Sequence, residues 1–237
     1  MMIFSQKGYK ETMETPEKKA KKTQNTERAI YEAAKKLFFK NGIADTSVRQ
    51  ITAASNTNLG SFTYYFKSKT ELAQQIFENV NNDIRALIVT PYDRQATLYE
   101  YLFMQMFQFK AAVLNDRYYE LFSLSMSEEA TSKSVKELYY GCNIRFSSHS
   151  STDSAYFIMT SALLIGMKSE LIKLSRNSDM DEITLDKTLD FFVKELLEFI
   201  HPAEVDDLDE YRHKLLSDFD TYYVDIVKGF TPVLVKT

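Results

Sequence analysis

The sequence predicts an all-α chain with a small basic head and a larger acidic body. Three observations carry that prediction. Only 6 Gly and 4 Pro occur in 237 residues, so breaks are few. Strand-like alternation between turn signals is scarce, while apolar residues recur at helical spacing from Ile30 onward. The charge is divided: residues 1–69 carry 13 Lys+Arg against 6 Asp+Glu, a net of +7, whereas the remainder nets −11. Apolar content of 44% and aromatic content of 14% mark a globular chain with a core. The organisation expected is a basic flexible tail over 1–24, a three-helix head over 25–70 and a helical body over 71–237.

In the tail, "KKAKK" at 18–22 reads either as a solvated arm that raises non-specific affinity or as an arm for a minor groove. The first helix is expected in "TERAIYEAAKKLFFKNG", with Thr26 as N-cap and Ile30, Ala33, Ala34, Leu37 and Phe38 as its apolar stripe. Asn41 and Gly42 supply the left-handed residues that end helices. A second helix follows in "DTSVRQITAAS", capped by Thr46 or Ser47. Ser47 and Gln50 have capping-box spacing, and Val48, Ile51 and Ala54 form the stripe.

Asn56 suits a left-handed turn residue, and Asn58 suits the N-cap of a third helix, "LGSFTYYF". Four aromatics, Phe62, Tyr64, Tyr65 and Phe66, crowd into five positions there. Phe62 and Phe66 are four apart and share one face, which packs inward on the second helix. Leu59, Gly60, Ser61, Thr63 and Tyr64 are then left largely outside, with Tyr65 at the edge. Two short helices joined by a tight turn, the second with a polar and aromatic outer face, form a helix-turn-helix whose second helix fits a DNA major groove. Ser68 caps the next helix, with Glu71 three residues on and Lys69 at the end where a phosphate is favoured.

With "FFKNGIADTSV", "RQITAAS" and "GSFTYYFKSKTEL" on the page, the segment from about Thr26 to Leu72 resembles the DNA-binding domain of the tetracycline-repressor (TetR) family. It departs from the common pattern at Asn56, Thr57, Asn58, Leu59 and Thr63. The resemblance implies phosphate contacts from Thr46 or Ser47, Tyr65 and Lys69, with Lys67 among the DNA-binding residues. It implies groove-facing roles for Leu59, Gly60, Ser61, Thr63 and Tyr64. Two readings of Leu59 stand: it touches a thymine methyl, or it folds back over Phe62.

The body reads as helices near 69–89, 93–114, 116–126, 128–147, 153–175, 184–200 and 203–228, the last ending at Gly229. "AYFIMTSALLIGMKSELIKL" mixes small residues, Ala162 and Gly166 among them, with large aliphatics. "LDKTLDFFVKELLEFI" places Leu189, Phe192 and Leu196 on a broad stripe. The resemblance implies that these two helices form a four-helix dimer interface; ordinary intramolecular core is the other reading. Two half-sites also give many more base contacts than one short helix. Aromatic and Met residues crowd the middle helices. They read singly as core and, by the resemblance, as the lining of an effector pocket at Phe103, Phe107, Tyr119, Phe122 and Tyr140.

Catalytic signatures are absent. His149, His201 and His213 are in no metal-binding spacing, and neither a Gly-rich phosphate loop nor a nucleophile elbow occurs, so no metal, no cofactor and no enzymatic activity are expected. Cys142 reads as a small buried hydrophobe or, less simply, a redox sensor. A single cysteine, no secretory segment and no run near membrane-spanning length favour the cytoplasm and no membrane partner. The function expected is a ligand-responsive homodimeric transcriptional regulator, in this family usually a repressor. Its partners would be double-stranded operator DNA, a second copy of itself and a small apolar or aromatic effector. The alternative is a constitutive DNA-binding regulator whose body holds a protein partner.

Overall fold

The computed structural model describes residues 16–90, 94–126, 145–147, 154–177 and 179–237. Helix α1 spans Pro16–Asn41, α2 Val48–Ala54, α3 Leu59–Tyr65 and α4 Lys69–Ile88. The body continues with α5 Leu98–Leu114, α6 Asp116–Ser125, α7 Ser154–Asn177, α8 Leu185–Ile200 and α9 Leu208–Asp220. It closes with an antiparallel hairpin, β1 Tyr222–Val227 and β2 Thr231–Lys236. The expected helix over 128–147 lies almost wholly outside the described residues, as do Tyr140, Cys142 and His149.

Helix α1 begins at Pro16, not at Thr26. Pro is favoured at a first helical position, and the Glu, Lys, Ala and Gln residues that follow are good helix formers with no breaker among them. The helix ends where Gly42 takes a φ of +94°. A side chain at Gly42 would be strained in that backbone, and its Cβ would stand 2.6 Å from Arg117.

The head core forms where Ile30, Ala34 and Phe38 of α1 meet Ile51 of α2 and Phe62 and Phe66 around α3. Ala54, expected on the inner stripe of α2, is exposed; Thr52 is buried instead. Its hydroxyl is satisfied by the Arg49 carbonyl at 3.1 Å, so the small side chain enters the core with its polar atom bonded.

Helix α4 runs on from the head and lays Leu72, Ala73, Ile76, Phe77, Val80 and Ile84 inward. Helix α5 is the axis of the body and is buried on most of its circumference, because α4, α6, α7, α8, α9 and β1 all pack on it. Its start is later than the sequence suggested. Thr97 and Glu100 form a capping box there, and an Arg94–Glu100 ion pair closes the preceding loop.

The C-terminus departs most from expectation. The helix expected to reach 228 stops at Asp220, and Tyr222, Tyr223, Val224, Ile226 and Val227 pass into β1. Five β-branched or aromatic residues favour a strand over a continued helix. Gly229 at φ +74° and Phe230 at φ +56° turn the chain back. Val224 and Ile226 bury against the body, and Phe230 meets Phe39 of α1 edge-on, ring centres 5.2 Å apart.

Candidate nucleic-acid interface

The outer face of the head is built by caps. Ser47 caps α2, its hydroxyl accepting from Gln50 N while Gln50 Oε1 accepts from Ser47 N at 2.7 Å. Asn56 takes the left-handed turn at φ +52°. Asn58 then caps α3 by accepting from Ser61 N at 2.8 Å. Ser68 caps α4 by accepting from Glu71 N at 3.0 Å, and Glu71 in turn accepts from Lys67 N. Each cap satisfies a helix N–H that would otherwise face water alone.

Phe62 and Phe66 anchor α3, both buried, with ring centres 5.9 Å apart. This leaves Leu59, Gly60, Thr63 and Tyr64 exposed and Ser61 and Tyr65 half-buried. Leu59 is 57% exposed and Tyr64 78%, so Leu59 does not fold back as a lid over Phe62. The Tyr64 and Tyr65 rings meet edge-on at 4.9 Å, which holds the two phenols as one ridge. Thr63 turns its hydroxyl to the carbonyls of Leu59 and Gly60.

Two of the residues assigned phosphate roles are committed elsewhere. Thr46 is fully buried, and its hydroxyl donates to the Gly42 carbonyl at 2.7 Å. Of the pair Thr46 or Ser47, only Ser47 is exposed. Lys69 folds its ammonium onto the loop before α2, donating to the carbonyls of Ile43 at 2.7 Å and Thr46 at 2.9 Å. Closing a loop rich in carbonyl acceptors outcompetes free solvent for a flexible ammonium, so this side chain is a structural tie in the free protein. Lys67 remains exposed, and Arg49, exposed on α2 two residues after the cap, joins it. Arg49 lies on the outer face of a seven-residue helix, away from the inner stripe that helical periodicity marks.

The body candidates divide similarly. Phe103, Phe107 and Phe122 are core: Phe103 stacks edge-on with Phe219 and Tyr222, and Phe122 packs on Phe77. Of the described candidates only Tyr119 is half-buried, beside an open cleft. Leu189, Phe192 and Leu196 of α8 are also buried within the chain, Phe192 stacking on Phe109 of α5. They are corrected from interface to core, because the broad stripe of α8 is what faces the central helix. Ala162 and Gly166 are exposed on α7 and lie on one stripe with Ile158, Met159, Leu163 and Leu174. Nothing approaches within 4 Å of where a Gly166 side chain would be.

No helix among the described residues is long and apolar enough to cross a membrane. Residues 30–76 match the model for bacterial regulatory proteins of the tetR family. No curated protein matches the sequence. Among solved structures, a gamma-butyrolactone receptor (ArpA-like protein) is 15% identical over 84% of this chain and 97% of its own, with a TM-score of 0.45. RolR in complex with resorcinol is 15% identical over 84% of this chain and 96% of its own, at 0.49. TylP, a TetR regulator from Streptomyces fradiae, is 13% identical over 85% and 93%, at 0.49.

Proposed function

We propose that this chain, whose residues 30–76 match the model for bacterial regulatory proteins of the tetR family, is a DNA-binding transcriptional regulator that acts as a homodimeric repressor released from its operator by a small effector. The observation that carries the reading is the outer face of α3. A short helix is pinned from behind by Phe62 and Phe66 and turns Leu59, Gly60, Thr63 and Tyr64 to solvent on a basic head. A glycine in that row lets the helix backbone approach the floor of a major groove. Ser47, Tyr65, Lys67 and Arg49 flank the row as backbone contacts that set its register.

The same reading takes residues 25–70 as the DNA-binding unit and 71–237 as the body that pairs two copies and receives the effector. The pairing face is the apolar stripe of α7. Ile158, Met159 and Leu163 are each about 60% exposed, and Ala162 and Gly166 between them permit close helix approach. Two copies would then present two α3 helices about 34–36 Å apart, one DNA turn, in successive major grooves.

A gel shift of the full chain on the DNA flanking its own gene, with light scattering on the free protein, tests this reading. Retardation that competes away with the same DNA, but not with an unrelated duplex, supports it. A monomer at micromolar concentration overturns the dimer, and indifference to DNA sequence overturns the regulator.

A further inference from the structure

A cleft of about 570 Å³ opens where the head meets the body. Phe39 of α1 forms one wall, Leu114 and Tyr119 form the others, and Arg117, Arg176, Asp116 and Glu120 supply its charges, two of each sign. Its size lies within the range of ordinary small-ligand sites. Its chemistry is unlike that of the apolar body core.

Arg176 is fixed in place from the far end of α7. Its Nη1 donates to the carbonyls of Ala112 at 2.9 Å and Val113 at 2.8 Å, and its guanidinium lies 4.2 Å over the Tyr119 ring. Its Nη2 meets Asp116 at 2.5 Å, but that carboxylate is 83% exposed, so water competes for the pair. Arg117 pairs with Glu120 Oε1. Glu120 Oε2 accepts from Ile43 N at 2.7 Å, which makes this side chain a direct tie from body to head backbone. Both oxygens of Glu120 are thus committed, and the guanidinium groups of Arg117 and Arg176 line the cleft beside the carboxylates they pair with. Forked guanidinium donors fit a carboxylate, and the Phe39, Leu114 and Tyr119 walls fit a flat apolar body.

We propose that this joint cleft binds a small aromatic carboxylate, which pairs with Arg176 and Arg117 and competes with the exposed Asp116 for the former and with Glu120 for the latter. The inference rests on the ligand-responsive reading above and gives it a site outside the packed phenylalanines. A ligand carboxylate on Arg117 leaves Glu120 without its cation and weakens the tie to Ile43, at the loop that leads into α2. The head is then held to the body less firmly, and the spacing of two reading helices is less well set. The effect requires that the ligand prefer the loosened arrangement, since equal affinity for both would shift nothing.

Benzoate is the probe, with benzamide as its uncharged isostere, each titrated calorimetrically into the full-length chain. Benzoate should bind saturably and benzamide at least about tenfold more weakly, because only the former is a partner for the guanidinium pair. Arg176→Gln should weaken benzoate about tenfold or more, and Glu120→Gln, which removes one competing charge but keeps an acceptor for Ile43, should tighten it. No saturation, equal affinity for the two probes, or equal benzoate affinity in Arg176→Gln and the parent overturns the site. The comparison of probes uses the parent alone and so does not depend on a variant folding. DNA retardation without any probe is measured in parallel. If it persists while benzoate fails, the cleft is wrong and the regulator stands; if it is absent, the regulator is wrong whatever benzoate does.

Discussion

At the scale of single residues, function and stability separate along α3 and the loop that supports it. Tyr64 and Leu59 stand out in solvent, so Tyr64→Ala and Leu59→Ala should leave urea stability within about 0.5 kcal/mol of the parent. Leu59→Ala should cost about 1 kcal/mol of operator affinity, and only for operators with thymine at one position. Titrating the variant against operators changed one base at a time checks this; equal losses on every base would sink the methyl contact. Lys69 behaves in the opposite way. Its ammonium holds the Ile43 and Thr46 carbonyls, so Lys69→Met leaves them without a donor and should lower stability by about 1–3 kcal/mol in a urea titration. Because that charge is already bound within the protein, the salt dependence of DNA binding should change little. A slope reduced by about one phosphate's worth would show that Lys69 leaves the loop to meet DNA. The sequence placed Lys69 correctly at the start of α4 but could not show the loop, 23 residues earlier, that curls under it.

At the scale of elements, the faces of α7 and α8 decide what a charge does. Leu163 lies on the exposed stripe of α7, so Leu163→Asp should yield a folded monomer, with an unchanged helical signal and half the mass by light scattering. Phe192 on α8 is fully buried against Phe109, and Phe192→Asp should unfold the body instead, because an unpaired charge would enter the core. A Leu163→Asp chain that stays dimeric would remove α7 from the interface. Gly42 tests the junction of α1 with the body. Gly42→Ala combines left-handed backbone strain with a 2.6 Å approach to Arg117, and should cost more than about 1 kcal/mol in thermal or urea unfolding.

At the scale of the whole molecule, a polar chain crosses the body core and ties its helices together. Lys168 of α7 donates to Gln105 Oε1 at 2.8 Å and Gln108 Oε1 at 2.7 Å, both on α5. Gln108 Nε2 donates to Asn81 Oδ1 of α4 at 3.1 Å, and Tyr118 of α6 donates to the same oxygen at 3.0 Å. The chain therefore joins the proposed pairing helix to the helix that enters the head. Burial lowers the Lys168 pKa to about 7, while an unfolded lysine keeps its proton to about 10.4. Between those values the unfolded state binds the extra proton, so stability from this group rises with pH; below about 7 both states are protonated and the gain is lost. Urea midpoints should accordingly climb from about pH 7 to 9.5, and Lys168→Met should flatten that climb. An equally steep climb in the variant would assign the effect to other groups.

What the sequence determined by itself is the part governed by neighbours in the chain. The helical class, the caps at Ser47, Asn58 and Ser68, the left-handed Asn56 and Gly42, and the inward pair Phe62 and Phe66 all depend on spacings of four residues or fewer. Their energies are set locally by backbone hydrogen bonds and helix periodicity. The C-terminal hairpin was also written locally, in "YYVDIV" and "KGF", but a helical context masked it. Tertiary structure alone decided which apolar stripe is core and which is bare. The stripes of α7 and α8 look alike as sequence, yet α8 lies along α5 with its stripe inward while α7 leaves Ile158, Met159 and Leu163 to solvent. It also decided that Lys69 ties a loop, that Lys168 is buried, and that Glu120 reaches Ile43 across 77 positions of chain. Burial is a property of what packs opposite, and no spacing within one helix encodes its partner.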